Sequence, residues 1–474
     1  HLSIRRQRQM CIRDRTGARA LSLDSRGALL NQGGSIVAEQ GLTLDSTSLN
    51  NSDKGVISAK ADARLGTGAF DNSQGGSLTS AGQLTLTTAQ LTNNQGRIGS
   101  DQALNASITG LQQQGGELFS NADLTLDLDH GLLDNQGGNL HTPGQLLLRN
   151  LDRVDNRSGE ISGAKAFSLN ARELDNGAGK LLSNQALTLR IEQALANVKG
   201  LISAAAIDSR SASLDNRDGQ LHSRGDSQLQ VSGHADNQGA ILLAEGQMTL
   251  KAASLDNRQE GLVGATRALD LQVGRLDNRG GEVSSRQIDL SGERLDNSDQ
   301  GRLLASGDLT LKVARVLNQN LGLISADQGL SLSGIGLDNR GGQLVGAQRL
   351  DLELGEDLDN RKGRISSEGR LAIQARNLNN DRGSLSSGGA LQVSAGQALS
   401  NQGGKLLSDA GLTLASARLD NQQQGIISAK GRLSLTTGAL DNSQGGNLNS
   451  GDELSLNAAQ VNNCLLYTSD AADE

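Results

Sequence analysis

Tryptophan is absent from this 474-residue chain, and it holds one tyrosine, three phenylalanines and one proline. So little aromatic volume suits a narrow core of fixed cross-section. No apolar run approaches 18 residues, which excludes a membrane-spanning helix. The net charge is −8, an acidic balance that argues against nucleic acid or an anionic membrane as a partner. The two cysteines, Cys11 and Cys464, stand at opposite ends, so no cysteine-based metal spacing exists. No stretch holds a sustained 3.6-residue apolar period, which disfavours helix. Abundant Gly, Ser, Asn and Gln would be compatible with disorder, but regular leucine alternation through the chain is not how disordered tracts read.

What is present is a phrase: Leu-Asp-Asn, a few small polar residues, Gly or Gly-Gly, then an aliphatic residue. Its marker asparagines are Asn72, Asn135, Asn156, Asn176, Asn216, Asn237, Asn257, Asn278, Asn297, Asn339, Asn360, Asn421 and Asn442. Looser copies fall at Asn31, Asn51, Asn93, Asn197, Asn318, Asn380, Asn401 and Asn463, and near Gln113 the phrase decays to Leu-Gln-Gln. The spacing stays between 19 and 22 residues, a repeat-architecture signal. Residues 49–80 and 419–450 are closely similar, which points to duplication of whole blocks.

The stretch from Gln343 to Asn360 reads as one turn of a coil. Leu344 stands alone, Leu350, Leu352 and Leu354 alternate with polar residues, and Leu358 is two before Asn360. Short bursts of period-2 alternation between Gly-rich turns predict two short strands and a third, very short one at Leu-Asp-Asn. The expected fold is all-β: a single-stranded parallel β-helix of about 20 residues per coil and about 22 coils. At about 4.8 Å per coil this implies a rod on the order of 100 Å long. Each strand pairs with its copy in the next coil, because one coil cannot bury its own face.

Each marker Asn lies two residues after an inward leucine. Its side chain therefore turns inward at a corner, where stacked copies would form an amide ladder that satisfies turn amides and carbonyls. The glycines that follow are expected to supply positive φ. The intervening Asp points outward, and the frequent Arg after Asn (Arg157, Arg217, Arg258, Arg279, Arg340, Arg361) partly offsets a column of like charge. Pro143 falls in a turn, where it removes no ladder hydrogen bond. Phe70 and Phe167 take leucine slots and are expected in the core.

The two ends break the pattern. Residues 5–14 read RRQRQMCIRD and residues 464–474 read CLLYTSDAADE. One DNA word, translated in opposite orientations, encodes both, as a transposon adapter from library preparation would. Residues 1–15 and 464–474 are therefore expected to lie outside the natural domain, 16–463, which would be a piece of a longer protein.

No catalytic or metal-binding set emerges, and no cofactor is expected. His130, His141, His222 and His234 read as surface residues. His141 and His222 share a column but stand four coils apart, roughly 19 Å at strand spacing. Asp277, Asp296, Asp338 and Asp359 belong to a column repeated along the chain, which signals architecture more than a site. The calcium-binding nonapeptide GGxGxDxUx is missing. Gly341-Gly342 precedes no helix, so it is no phosphate loop. A leucine-rich repeat would place Asn three residues after Leu, whereas here it follows at two.

The segments LDNRGGQLVGAQRLDLEL, FDNSQGGSLTSAGQLTLTT and LDNQQQGIISAKGRLSLTT resemble the haemagglutinin repeats of filamentous haemagglutinins and of contact-dependent growth inhibition exoproteins. The resemblance covers 16–463 and departs at Gln112-Gln113, at Leu195-Ala196-Asn197 and at Val316-Leu317-Asn318. It implies a right-handed β-helix in a large secreted or cell-surface exoprotein of a Gram-negative bacterium. It also implies two-partner secretion, in which a missing amino-terminal domain engages an outer-membrane transporter. The implied function is non-enzymatic: the extended stalk of an adhesin or contact-dependent inhibition toxin, displaying distal domains toward a host or neighbouring cell. Two alternatives remain at this point, a β-helix polysaccharide-degrading enzyme and a glycan-binding rod.

Overall fold

The computed structural model describes residues 9–11, 15–17 and 19–464. Among these, every element is a β-strand. The chain divides into two units, one made of His1–Asp236 and Ala240–Gly246, the other of Asn237–Gly239 and Gln247–Glu474. Each is a parallel β-solenoid, and together they hold about 21 turns.

In the second unit, the coil that begins at Gln343 consists of strands Gln343–Gly346, Arg349–Leu354 and Asp357–Asp359. Each pairs in parallel one coil onward, with Gln343 opposite Arg364, Leu350 opposite Leu371 and Leu358 opposite Leu378. The first unit repeats this arrangement with Glu160–Gly163, Phe167–Ala171 and Glu173–Asp175. In many coils the second and third strands run together, as in Leu84–Thr92. Leu262–Asp277 carries all three as one bent strand. The three-strand reading thus holds, with the breaks between strands often smoothed out.

The core is the inside of the coil. Leu330, Leu350, Leu371, Leu391, Leu412 and Leu433 stand in register in the second unit, each at most 1% exposed. Full burial of one such side chain contributes about 1.5–3 kcal/mol. Phe70 fills the slot between Leu49 and Leu91, and Phe167 that opposite Leu187; both are buried. In the first unit, one coil is underfilled. Ser227 takes the slot of Ile207 and Ala235 that of Leu214, both buried, and the Ser227 hydroxyl has no hydrogen-bond partner among the described residues.

Most of the two end segments lies outside the described residues. Strands Gln9–Cys11 and Arg15–Gly17 pair with Ala28–Leu30 and Ile36–Ala38. Cys464 is exposed and free.

At the corner after each marker Asn the expectation about glycine holds in part: Gly33, Gly75, Gly280, Gly341 and Gly403 do adopt positive φ, but glycine is not required for it. The turn has a short form with one positive-φ residue and a long form with two. These positions accept ordinary side chains: Ser158, Ala178, Lys199, Asp218, Lys362 and Arg382 in the short form, Asp53-Lys54 and Gln423-Gln424 in the long form. The glycine that closes the turn is needed for a different reason. A Cβ at Gly76 would lie 2.5 Å from the carbonyl oxygen of Asn51 in the preceding coil and 2.7 Å from Asn72 Oδ1. Gly363 meets the Asn339 carbonyl and Asn360 Oδ1 in the same way. Missing volume, not φ, is what this position supplies. In one coil Ala240 occupies it and is buried, so a methyl group is accommodated there.

Two neighbouring substitutions separate these roles. Gly363→Ala should destabilise the chain by about 1–3 kcal/mol through overpacking. Lys362→Gly, at a residue with φ of 56°, should be neutral or stabilising because strain is relieved. Denaturant melts of both variants check this, and equal destabilisation would contradict it.

Candidate functional site

The marker side chains come together as a buried column in each unit. In the first, Asn51 Nδ2 donates to Asn72 Oδ1 at 2.7 Å, and Asn72 to Asn93 at 2.8 Å. The chain of donors continues from Asn135 to Asn156, Asn176, Asn197 and Asn216, each step 2.7 Å. In the second, it runs from Asn237 through Asn257, Asn278, Asn297, Asn318, Asn339 and Asn360. From there it passes through Asn380, Asn401, Asn421 and Asn442 to Asn463. Asn442 is 7% exposed, while most of the column is at 0%.

The column has a direction: at each step described, the amide nitrogen donates to the next coil and the amide oxygen accepts from the one before. An amide suits this because it carries donor and acceptor at opposite edges. Its width plus one hydrogen bond fills the strand spacing of about 4.8 Å. The second proton reaches the backbone. Asn339 Nδ2 lies 3.3 Å from its own turn's Gly342 oxygen and 3.3 Å from Arg364 oxygen in the next coil. The main chain follows the same course, with Asn339 N donating to Asp359 O at 2.7 Å.

Gln113, in the decayed phrase, is a full member of the column. It is completely buried and donates to Asn135 Oδ1 at 3.0 Å, but Asn93 reaches its Oε1 only at 3.4 Å. The extra methylene displaces the amide from register.

A second polar corner escaped the reading of the sequence. The residue that ends the short strand points inward and is usually Ser or Ala. Ser387 Oγ lies 2.6 Å from Gly369 O in the preceding coil and 3.0 Å from Ala390 O, so that the two carbonyls share its one proton, and Ser408 stands likewise between Gly389 and Gly411. The signal was a small residue two after the lone aliphatic, as in Leu385-Ser386-Ser387.

Outside the Asn corner, Arg and Asp interlock. Arg258 Nη2 lies 2.7 Å from Asp256 of its own coil, and its Nε lies 3.6 Å from Asp277 of the next. Arg279 continues to Asp277 at 2.7 Å, and Arg340 links Asp338 and Asp359 in the same fashion. Where Gln stands in the Arg position, it bridges onward instead, as Gln402 does to Asp420 at 2.7 Å. Burial pushes the Asp277 carboxyl upward, but hydrogen bonds from Arg279 and the charges of Arg279 and Arg258 outweigh it, leaving the carboxyl below its ordinary value. For Asp215, the Arg217 hydrogen bond is the largest influence, and the result is also a lowering.

The histidines are dispersed. His222 Nε2 is 3.1 Å from Glu245. His141 stacks on Phe119 with centroids 5.6 Å apart, and the Arg97 guanidinium caps the other side of that ring at 4.7 Å. Phe119 is thus the one phenylalanine outside the core. A shallow groove of about 340 Å³ is lined by Gly75, Gly96, Gly115, Arg97 and Glu117. Among the described residues, no group of three His, Cys, Asp or Glu could hold a metal ion, and no helix is long and apolar enough to cross a membrane.

The haemagglutinin repeat family profile matches eight overlapping segments of the chain, the first beginning at residue 15 and the last ending at 463. A toxin of Yersinia pestis, Toxin CdiA, is 29% identical over 255 residues, covering 49% of this chain. The chain spans only 8% of that relative's length. No solved structure matches.

The Asp–Arg pairs contribute stability that is complete above the unfolded carboxylate pKa and is lost as pH falls through the lowered folded value. The melting temperature should therefore drop once pH passes below the ordinary aspartate range, and less steeply in Arg279→Gln. A pH series of thermal melts reads this, and a drop just as steep in the variant would refute it. Gln113→Asn should restore the register of the column and stabilise the chain by about 0.5–1 kcal/mol in denaturant melts; a loss of stability would count against that account.

Proposed function

Because the chain belongs to the haemagglutinin repeat family, we propose that it is a section of the stalk of a large secreted or cell-surface adhesin or contact-dependent inhibition toxin. The observation that carries this reading is the sameness of the interior from coil to coil. Buried amides, leucines and closing glycines recur at one register along each unit, with isolated replacements at Gln113, Ser227, Ala235 and Ala240, so each added turn lengthens the structure by one strand spacing. A part built this way sets distance. Its work is to hold distal binding or toxic domains away from the cell that made it, toward a host or neighbouring cell.

The likeness to Toxin CdiA of Yersinia pestis supports the toxin-stalk version, and the family supports export from a Gram-negative bacterium by an outer-membrane two-partner-secretion transporter. The stalk does no chemistry of its own and needs no cofactor. On this reading the repeat region is 16–463, and 1–15 and 464–474 derive from adapter DNA, as their shared coding word in opposite orientations suggests. The polysaccharide-degrading alternative gains no specific support from the geometry, because the carboxylates sit in repeated columns paired with arginine.

The test is to display the chain between an outer-membrane anchor and a fluorescent reporter and to delete whole turns from within it. Each deleted turn should bring the reporter closer to the membrane by about 4.8 Å. A reporter distance that ignores the number of turns would overturn the stalk reading, as would cleavage of an acidic polysaccharide by the purified chain.

A further inference from the structure

Asn176-Gly177 is the one Asn-Gly step in the sequence, and it falls on the buried column. At every other marker position the next residue carries a side chain. We propose that Asn176 is a latent deamidation site, closed in the folded chain and open in the unfolded one. The reaction needs only water. The backbone nitrogen of Gly177 attacks Asn176 Cγ, a carbon–nitrogen bond forms, and the side-chain nitrogen leaves as ammonia. Water then opens the resulting five-membered imide to aspartate or to its β-linked isomer. Nothing is oxidised or reduced. Glycine in the following position favours the attack because no Cβ hinders the approach and the backbone turns freely.

In the folded chain each participant is held. The leaving nitrogen, Asn176 Nδ2, donates to Asn197 Oδ1 at 2.7 Å, to Gly179 O at 3.2 Å and to Leu201 O at 3.3 Å. The carbonyl end accepts from Asn156 Nδ2 at 2.7 Å. The attacking nitrogen, Gly177 N, donates to Asp175 Oδ1 at 2.9 Å, which directs its proton toward a carboxylate and away from the side chain it must attack. Asn176 is 0% exposed, so water does not reach the group. Unfolding releases all of these restraints together.

The product cannot take the same place. Aspartate at position 176 still accepts from Asn156, but Asn197 Oδ1 loses the side-chain donor, and it and the Gly179 and Leu201 carbonyls face a buried negative charge. The β-linked isomer also inserts a carbon into the main chain at a corner where register is set. Deamidation therefore accumulates only while the chain is unfolded and then opposes its return, so that this coil limits how long the chain can wait before folding.

The experiment holds the full chain in native buffer and in concentrated urea at mildly alkaline pH, and follows deamidation at each Asn by peptide mapping with mass spectrometry. In urea, Asn176 should react on the order of tenfold or more faster than any other marker Asn, and on the order of tenfold or more faster than it does in native buffer. Gly177→Gln should stop the reaction in urea and leave the folded melting temperature nearly unchanged. A Cβ at Gly177 meets only Asp175 Oδ1 at 3.1 Å, with Arg157 and Val198 farther off, and both neighbouring coils carry side chains in that position. Equal rates in buffer and urea would overturn the protection, and a second marker Asn reacting as fast in urea would overturn the assignment. Asn176→Asp tests the consequence separately: unchanged melting and refolding would show that the product does no harm.

Discussion

At one corner of every coil, a buried carboxamide must reach exactly one strand spacing to its copy in the next coil. The rest of the architecture accommodates that demand. For the amide to face inward, the leucine two residues earlier must also face inward, which sets the phase of the third strand. For the chain to leave the corner without colliding with the preceding coil's carbonyl, the closing residue must be very small, which accounts for Gly76, Gly363 and their counterparts and leaves Ala240 as the exception. For the turn to vary in length without disturbing the column, the extra residue must go between Asn and Gly, where a second positive-φ residue takes it up.

Because the column satisfies its own polar groups, the outside of the coil is released from structural duty. The positions after Asn hold Arg, Gln, Ser, Val, Asn, Asp or Gly with little consequence for the corner itself. Where Arg or Gln is present, it binds the Asp of the next coil and adds a charge-assisted link on the solvent side. Exposed pairs of this kind contribute little each, typically below about 1 kcal/mol. Their more definite effect is to neutralise a column of aspartates that would otherwise repel along its length. A chain with a fixed interior and a tolerant exterior can be extended by duplicating turns, and the close similarity of 49–80 and 419–450 is what such duplication leaves behind. That property links the physics of the corner to a role in spacing.

The period, the parallel strands and the inward leucines were all legible in the sequence, since each follows from alternation around a repeated phrase. Phe70 and Phe167 could be placed for the same reason: they stand where leucine stands elsewhere. What escaped depended on three-dimensional proximity. Glycine after Asn suggested positive φ, which several of these glycines adopt, but the glycine that closes the turn serves a carbonyl about 25 residues back in the chain, which no local rule anticipates. Gln113 looked like decay of the phrase, and only the column shows that an amide on a longer stem still fills the slot. The inward serines were hidden because Ala occupies the same place in other coils, so the pattern reads as small size and not as hydrogen bonding. Phe119 stood out in no alternation, and its stacking partners Arg97 and His141 come from neighbouring coils.

The most direct test of the central interaction is a double-mutant cycle on adjacent members of the column, with a distant pair as control. Asn339→Ala and Asn360→Ala, singly and together, are compared with Asn339→Ala combined with Asn421→Ala, using denaturant unfolding of the full chain. Either single change at the adjacent pair leaves the other amide with a buried, unmet hydrogen bond, and the double change removes both groups. The account predicts that the adjacent double variant loses less than the two singles combined, by on the order of 1 kcal/mol or more, while the distant pair is additive. Additivity within about 0.5 kcal/mol at Asn339 and Asn360 would contradict it, because the amides would then stand side by side without holding the coils together.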